Sequence, residues 1–300
     1  MEDSEVIIIG GSYAGLAAAM SLGRALRRVL IIDSGLPCNR QTPHSHNFLT
    51  RDGEAPAQIA AKAREQVLMY PTVQLLQEKA IAAHKEGNYF LVQTQGGGNF
   101  HARKLIFTTG MKDEFPAIPG FAECWGISVL HCPYCHGYEV RHEQIGLIGN
   151  GDFGFELTKL IQNWSKQLKL FTNGASTLSP SQRALLERRS IPIIEEKIVG
   201  LVHEAGYIQY LLTKDGKQHP LKAIFARPAL QQHCALPQEL GCELTPEGFI
   251  KVDAFQRTTV PGIYAGGDNT IFMRSVAVAN AAGSMAGAIL NKDMIEEEFV

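Results

Sequence analysis

The chain has 300 residues, of which 45% are hydrophobic and 19% charged, and its formal net charge is −2. This composition predicts a globular protein of about two domains, with no electrostatic basis for binding nucleic acid or an anionic membrane. No apolar run reaches the ~18 residues of a membrane helix, and no signal-peptide pattern opens the chain, so we expect a cytoplasmic protein. Its six cysteines should then be mostly reduced.

The chain opens on a predicted strand, helix and strand. Residues 5–9 form an apolar, β-branched run that predicts a buried strand. A helix is predicted to follow through residues 16–27, and residues 29–32 predict a second buried strand. A βαβ unit of this length is typical of dinucleotide binding, with a pyrophosphate on the N-terminus of the helix.

The turn before this helix carries a nearly complete glycine fingerprint. Gly10 permits a tight turn and Gly15 lets the helix and strand pack closely, whereas Ser12 replaces the middle glycine of the pattern. Asp33 ends the second strand, where a carboxylate can accept hydrogen bonds from a ribose. The four residues together predict a dinucleotide site despite the departure at Ser12.

The next part of the chain combines a long loop with further strands. Residues 37–53 are polar and long for a connection, which favours a functional loop. Its His44 and His46 are interpreted as surface histidines rather than as proton donors near a cofactor. A helix at 55–69, a strand at 73–76, a hairpin at 89–94 and 100–104 and a strand at 105–110 follow. Residues 115–120 contain two prolines and a glycine and predict a crossover between domains.

A second βαβ unit begins about 140 residues after the first. Its predicted elements are a strand at 144–148, a helix at 155–165 and a strand at 168–171. Between the first strand and the helix, Gly149, Gly151 and Gly154 form a complete G-x-G-x-x-G. Near the C-terminus, an apolar strand ends in Gly267 and Asp268, and a helix at 275–290 is rich in small residues. We expect that helix to return to the first domain.

Between the two glycine loops, residues 131–139 read His-Cys-Pro-Tyr-Cys-His-Gly-Tyr-Glu. A Cys-x-x-Cys pair at the start of a helix is a redox dithiol pattern, since the helix dipole favours the thiolate. Three other interpretations are a c-type haem attachment, a zinc site with His131 and His136, and a pair of structural cysteines. We predict no metal site, because no second ligand pair accompanies the cysteines.

The order of these features resembles the low-molecular-weight thioredoxin reductase family over nearly the whole chain. The motif at residues 131–139 and the upstream run His-Asn-Phe-Leu-Thr-Arg-Asp-Gly look most like the gliotoxin- and holomycin-type dithiol oxidases. The resemblance implies an α/β fold with two Rossmann-like dinucleotide-binding domains of the three-layer ββα type. A discontinuous FAD domain would comprise residues 1–115 and 244–300. Residues 116–243 would form an NAD(P)-binding-like domain that carries the cysteine pair.

The same resemblance implies roles for individual residues. Cys135 would lie next to the flavin, and Cys132 would exchange with substrate. His136 stands where thioredoxin reductases usually carry Asp, and we predict it to be the acid/base. The FAD contacts would be Gly10, Ser12, Tyr13, Ala14, Gly15, Asp33, Asn47, Thr109, Gly110, Gly267, Asp268, Arg274 and Ser275. Family members are usually homodimers, so a homodimer is expected.

The second glycine loop lacks the partners that NADPH normally requires. No arginine follows the strand at 168–171 until Arg183, so the 2′-phosphate has no clamp. In addition, Ala226-Arg227-Pro228 replaces the glycine that usually follows the later strand. A second FAD, a weakly held NAD(P)H or no nucleotide remain open for this loop. The chain is thus predicted to be an FAD-dependent thiol-disulfide oxidoreductase. Its partner would be a small-molecule dithiol or disulfide, or a thioredoxin-like protein.

Two alternatives to this function stay open at the level of sequence. The first is an NAD(P)H-dependent reductase of thioredoxin or of a small disulfide, with electrons flowing in the opposite direction. The second is a non-enzymatic flavin redox sensor. Oxygen or another acceptor would reoxidise the flavin of a dithiol oxidase.

Overall fold

The computed structural model describes residues 4–299. The helices of this part of the chain are α1 (Tyr13–Arg24), α2 (Pro56–Leu68), α3 (Phe121–Cys124), α4 (Pro133–His136), α5 (Gly151–Ile161), α6 (Pro180–Arg188), α7 (Leu236–Glu239) and α8 (Val276–Glu298). No helix in residues 4–299 is long and apolar enough to cross a membrane.

The strands, in chain order, are β1 (Ser4–Ile9), β2 (Val29–Ile32), β3 (Val73–Leu76), β4 (Ala80–Glu86), β5 (Tyr89–Thr94), β6 (Asn99–Phe107), β7 (Met111–Glu114), β8 (Val129–Leu130), β9 (Ile145–Ile148), β10 (Leu168–Phe171), β11 (Ile193–Ile194), β12 (Ile198–Glu204), β13 (Tyr207–Thr213), β14 (Gln218–Pro220), β15 (Ala223–Ala226), β16 (Ala229–Gln232) and β17 (Ile263–Ala265).

The first sheet has the order β3-β2-β1-β6-β5-β4, with β17 paired to β6. Strands β3, β2, β1, β6 and β17 are parallel, and the β4–β5–β6 meander is antiparallel. Because side chains alternate along a strand, Ile7 and Ile9 enter one core while Val6 and Ile8 enter the other. The central strand is therefore apolar on both faces, as the sequence predicts.

Helices α1 and α8 pack together over one face of this sheet. A Cβ on Gly283 would lie 1.9 Å from the carbonyl oxygen of Ala14, and one on Gly287 would lie 2.6 Å from that of Ala18. Only glycine fits at such distances. The prediction that the small-residue helix returns to the first domain is confirmed.

The middle of the chain forms a three-layer unit. A parallel sheet, β11-β10-β9-β15-β8, lies between helices on one face and the antiparallel sheet β12-β13-β14 on the other. Leu157 and Leu186 pack from the helices against one face. Leu201 and Leu211 pack from the antiparallel sheet against the other face. The predicted ββα layering, with two Rossmann-like units, is confirmed.

A two-stranded antiparallel ribbon, β7 with β16, joins the two units next to the predicted crossover. The predicted division of the chain into domains stays a prediction. Leu236 and Cys242, which follow the ribbon, pack in the same core as Ile7 and Phe107 of the first sheet.

Some elements differ from the predictions made from sequence. Strands β4 and β12 were not predicted, and α8 continues to Glu298 rather than ending at residue 290. Ion pairs hold its last turn to the first unit: Glu298 bonds Arg27 and Arg103, and Glu297 bonds Lys104. These partners are distant in sequence, so no local pattern marks the extension.

Candidate active site

The first glycine loop leads directly into α1. Gly10 has a φ of +105°, and a Cβ there would lie 2.5 Å from the carbonyl oxygen of Thr108. A Cβ on Gly15 would lie 1.9 Å from the carbonyl oxygen of Gly10, so the helix needs glycine at this point to reach the strand. Ser12 is the N-cap residue and its side chain makes no cap hydrogen bond, which leaves the first N–H groups of the helix for an anion.

This loop borders a cavity of about 740 Å³. Most of the predicted FAD residues line it: Gly10, Ser12, Tyr13, Ala14, Asp33, Thr109, Gly110, Gly267, Asp268, Arg274 and Ser275. Gly15 instead packs under the loop. Asn47 has a φ of +59°, and its N–H donates to Asp52 Oδ1 at 2.7 Å. The structure thus gathers eleven of the thirteen predicted contacts around one cavity.

A buried charge cluster lies at one wall of the cavity. Arg274 Nη1 donates to Asp113 Oδ1 at 2.7 Å, and its Nε donates to Asp268 Oδ2 at 3.3 Å. Burial raises the pKa of Asp268, although the charge of Arg274 opposes that shift. Cys38 Sγ lies 3.9 Å from Asp268 Oδ2. The cluster joins the ribbon strand β7 to the loop before α8.

The cysteine pair meets the cavity from the middle unit. Cys132 is the N-cap residue of α4, and it forms a disulfide with Cys135, with the two Cα atoms 5.3 Å apart. Cys135 and His136 line the cavity together with the residues of the first glycine loop, whereas Cys132 does not. The two sulfurs therefore have different surroundings.

Two half-buried histidines flank the disulfide. Burial, reinforced by the nearby charge of His46, lowers the pKa of His136 to about 4. Burial and the charge of Arg274 lower the pKa of His131 to about 4 as well. His131 stacks on Trp125 with 5.7 Å between ring centroids, and no residue in the described range hydrogen-bonds its Nε2. Both imidazoles are neutral at pH 7, the form in which they can accept a proton.

His46 also reaches the cavity, contrary to its interpretation as a surface histidine. Its side chain is 21% exposed, with Nε2 3.5 Å from Glu139 Oε1 and Nδ1 3.7 Å from Asp52 Oδ1. The loop folds inward and so places this residue beside the cysteine helix. His44 is exposed, and its Nδ1 contacts the carbonyl oxygen of Gly53 at 3.0 Å.

A family model described as pyridine nucleotide-disulphide oxidoreductase matches residues 4–286. The chain belongs to this family. The thioredoxin reductase tcpT of Claviceps purpurea is 30% identical, with 98% of this chain and 95% of that protein covered.

Solved structures with the same fold include a putative thioredoxin reductase TrxB from Bacillus anthracis, at 32% identity and a TM-score of 0.94. The alignment covers 98% of this chain and 99% of that one. An oxidoreductase from Agrobacterium tumefaciens is 38% identical with a TM-score of 0.91, over 98% and 99% of the two chains. The predicted thioredoxin reductase-like family is confirmed, and the protein is an enzyme of the FAD-dependent disulfide oxidoreductase type.

The residues around the cavity of this oxidoreductase fit FAD. The contacts at Gly10 and Gly15 form a cradle that only glycine permits, at the N-terminus of a twelve-residue helix. Asp33 stands at the end of β2, with Oδ1 accepting from Gly11 N at 2.9 Å. The hydroxyl of Thr109 is buried and has no hydrogen-bond partner among residues 4–299. Donors for a pyrophosphate and an acceptor for a ribose thus meet in one cavity.

The second glycine loop of the oxidoreductase lies away from this cavity. Hydrogen bonds to the segment after β10 cover this loop. Gly149, Gly151 and Gly154 do not line the cavity. Asn150 Oδ1 accepts from Thr177 N at 2.8 Å, and its Nδ2 donates to the carbonyl oxygen of Ala175 at 2.8 Å. The segment after β10 is therefore tied across the turn where a pyrophosphate would approach.

Side chains near the expected 2′-phosphate position are also paired internally. Arg183 forms an ion pair with Glu195, and Glu195 Oε2 accepts from Ser176 N at 3.1 Å. Asn173 Oδ1 accepts from Ile198 N at 2.9 Å. The nearby arginine is thus neutralised by a carboxylate that would repel a phosphate.

A contact between the two units was not predicted from sequence. The guanidinium carbon of Arg227 lies 5.0 Å from the ring centroid of Phe153, in the second glycine loop. The same carbon lies 4.2 Å from the ring centroid of Phe272, in the segment before α8. The unexpected Ala226-Arg227-Pro228 was the only signal, and it did not identify the partners.

Within residues 4–299, no group of three or more His, Cys, Asp or Glu side chains is arranged to hold a metal ion.

Proposed function

We propose that this enzyme passes two electrons from a substrate dithiol through Cys132–Cys135 to FAD, without a standard NADPH clamp. One observation carries the proposal: Cys135 and His136 line the same cavity as the first glycine loop, while the second loop lies outside it. In this arrangement the disulfide is already at the FAD site. A cycle driven by a dithiol needs no rotation of the middle unit.

The chemistry of the cysteine pair follows from the unequal positions of its sulfurs. A substrate thiolate forms a bond to Cys132 Sγ while the Cys132–Cys135 bond breaks, which leaves a thiolate on Cys135. The second substrate thiol then displaces Cys132, and the substrate leaves as a disulfide. Two electrons thereby move from the substrate to the cysteine pair, and the two protons of the substrate thiols pass to nearby bases. The location of Cys132 outside the cavity supports its role as the sulfur that meets substrate.

FAD, held by the first glycine loop, Asp33 and the Gly267-Asp268 segment, supplies a two-electron acceptor for the reduced pair. His136 accepts a proton released by the thiols. Its low pKa, caused by burial, keeps it unprotonated and therefore ready to act as a base at pH 7. Thiol exchange requires thiolates, so a base next to Cys135 accelerates each exchange.

The second candidate is an NAD(P)H-dependent reductase of thioredoxin or a small disulfide. Its support is the intact Gly149, Gly151 and Gly154, together with relatives that carry the name thioredoxin reductase. The Asn150–Thr177 closure and the Arg183–Glu195 pair argue against a tightly bound NADPH. For either direction we propose a small-molecule dithiol or a thioredoxin-like protein as the partner, and a homodimeric enzyme.

Anaerobic reduction of the FAD-loaded enzyme tests the direction of electron flow. Dithiothreitol should bleach the flavin rapidly, whereas NADPH and NADH should bleach it slowly or not at all. Cys132→Ser should abolish bleaching by dithiothreitol while FAD binding stays unchanged. Rapid bleaching by NADPH, at a rate equal to or above that with dithiothreitol, would refute the proposed direction and establish the second candidate.

A further inference from the structure

The loop at residues 44–54 is held in one conformation by its own backbone hydrogen bonds. Ser45 N donates to the carbonyl oxygen of Glu54 at 2.8 Å, and Gly53 N donates to that of Ser45 at 2.9 Å. Asn47 and Thr50 adopt φ values of +59° and +74°, a region that non-glycine residues rarely occupy. Such local strain persists where surrounding contacts hold it in place, often at functional sites. The loop therefore fixes the position of His46.

His46 lies between the cysteine helix and solvent. Its Nε2 faces Glu139 Oε1 at 3.5 Å, three residues after His136, and its Nδ1 faces Asp52 Oδ1 at 3.7 Å. The Glu139 and Asp52 side chains are 39% and 68% exposed. The cavity is shared by His46, His136 and Cys135. Two half-buried imidazoles and two exposed carboxylates thus lie near the disulfide.

We propose that His46 is a proton-relay residue, which carries protons between His136 at the disulfide and the exposed carboxylates of Glu139 and Asp52. The inference rests on the proposed role of the cysteine pair. Each substrate dithiol releases two protons when its disulfide forms. Each proton passes from a thiol to His136, then to His46, and leaves through the carboxylates to water. No bond to sulfur and no electron transfer involves His46, so it acts through His136 rather than on the substrate.

The relay explains how a proton can leave His136, whose surroundings disfavour the protonated form. The same burial that keeps His136 unprotonated disfavours its imidazolium, so a proton taken from a thiol must leave quickly. His46 has a carboxylate on each side, Glu139 at 3.5 Å and Asp52 at 3.7 Å, and both carboxylates reach solvent. His44 offers a matched control: it is a histidine of the same loop, with its ring centroid 6.4 Å from that of His46, but it does not line the cavity.

The test uses the full-length, FAD-loaded enzyme with His46→Gln, His46→Ala, Glu139→Gln and His44→Gln variants. Dithiothreitol reduces the Cys132–Cys135 pair, and its oxidised form reoxidises it. Rapid quenching with N-ethylmaleimide and mass spectrometry count the reduced cysteines at each time across a pH series. The pH profile reports on the titratable groups around His46, which are Asp52, Glu139, His44 and His136. Flavin absorbance recorded in parallel accounts for the electrons that leave the cysteine pair for FAD.

We expect exchange in the His46→Gln variant to be about tenfold slower near pH 7, with a larger solvent deuterium isotope effect and a flatter pH profile. Added imidazole should restore the rate of His46→Ala, which a purely structural defect would not allow. Glu139→Gln should show a smaller loss, and His44→Gln should match the parent. FAD content and thermal unfolding identify any variant that fails to fold, and Glu139→Gln then provides the second variant.

The relay is overturned if His46→Gln and the parent have superimposable pH profiles and isotope effects. It is equally overturned if the exchange rate falls as much in His44→Gln as in His46→Gln. It is also overturned if imidazole leaves His46→Ala unchanged. Failure of the proposed direction has a different signature, since NADPH rather than dithiothreitol would then bleach the flavin. Exchange between the cysteines and dithiothreitol still reports on the relay in that case, because protons cross the same path in either direction.

Discussion

Replacement of Arg274 by Gln should destabilise the protein by about 3–5 kcal/mol, the usual loss when one partner of a buried ion pair is removed. The Arg274 side chain is only 8% exposed, and that of Asp113, which it contacts at 2.7 Å, is 9% exposed. Asp268, at 3.3 Å, is 15% exposed. Glutamine keeps one hydrogen bond, but two carboxylates would then lie buried without a cation.

The loss should depend on pH in a direction that the charges determine. Burial already raises the pKa of Asp268, and Arg274 opposes this shift. Without the arginine, the pKa of this carboxyl in the folded state rises further above its value in the unfolded chain. Such a carboxylate destabilises the fold above the unfolded pKa, and the loss is relieved as the pH falls through the folded pKa. Arg274→Gln should therefore lower the free energy of unfolding by less near pH 5 than near pH 7.

Urea unfolding of the FAD-free variants measures this loss without a contribution from cofactor affinity. Arg257→Gln is the control, because Arg257 contacts Asp293 at the same 2.7 Å but is 35% exposed, and such pairs contribute ~1 kcal/mol or less. The double variant Arg274→Gln with Asp113→Asn should recover part of the loss. The reasoning would be refuted if Arg274→Gln and Arg257→Gln lowered the free energy of unfolding equally. It would also be refuted if the loss in Arg274→Gln grew on acidification.

Three further predictions concern the glycine loop, the contact between units and the buried imidazoles. Gly15→Ala places a Cβ 1.9 Å from a carbonyl oxygen and should weaken FAD binding in a flavin titration and cost about 1–3 kcal/mol of stability. Gly200→Ala, whose Cβ would meet its nearest atom at 3.4 Å, should do neither. Arg227→Ala removes the ring contact with Phe272 between the units and should speed hydrogen exchange in β7 and slow bleaching by dithiothreitol. Arg141→Ala, which removes a ring contact within one unit, should change neither rate. Since the pKa of His136 falls to about 4 on folding, the unfolded chain binds an extra proton below about pH 6.5. His136 alone should account for up to about 3 kcal/mol of the stability lost between pH 6.5 and 4 in urea titrations. His131 contributes in the same direction, and His136→Gln should reduce the total loss.

The sequence predicts the two βαβ units well because their signals are local. Apolar runs such as residues 5–9 and the glycines at 10 and 15 mark strand, turn and helix within a few residues. Strand β4 escaped prediction because Ala-Ile-Ala-Ala-His-Lys-Glu has weak β-propensity and pairs at a sheet edge. The pairing with β5 determines its conformation, and such tertiary contacts do not show in a single segment.

The features of the site that were not predicted from the sequence are contacts between residues far apart in the chain. Arg274 and Asp113 are separated by 161 residues, and no sequence motif around either residue indicates that the two form a pair. His46 looked like a surface histidine because its loop is polar, and only the inward fold of that loop brings it to Glu139. The arrangement of the two units, which decides what reaches the cavity, depends on contacts of this long-range kind.

The direction of electron flow depends on that arrangement, because the disulfide and the second glycine loop belong to the same unit and do not line the cavity together. Bringing the second loop to the flavin requires a rotation that breaks the ring contact between Arg227 and Phe272, whereas Arg227 and Phe153 belong to the same unit. At ~0.5–2 kcal/mol for such a contact, its loss lowers the population of the rotated state about twofold to thirtyfold. A dithiol that reduces Cys132–Cys135 meets no such cost. Even if NADPH binds the second loop, dithiol-driven reduction keeps this advantage, so the observed orientation supports the proposed direction independently of the residues around that loop.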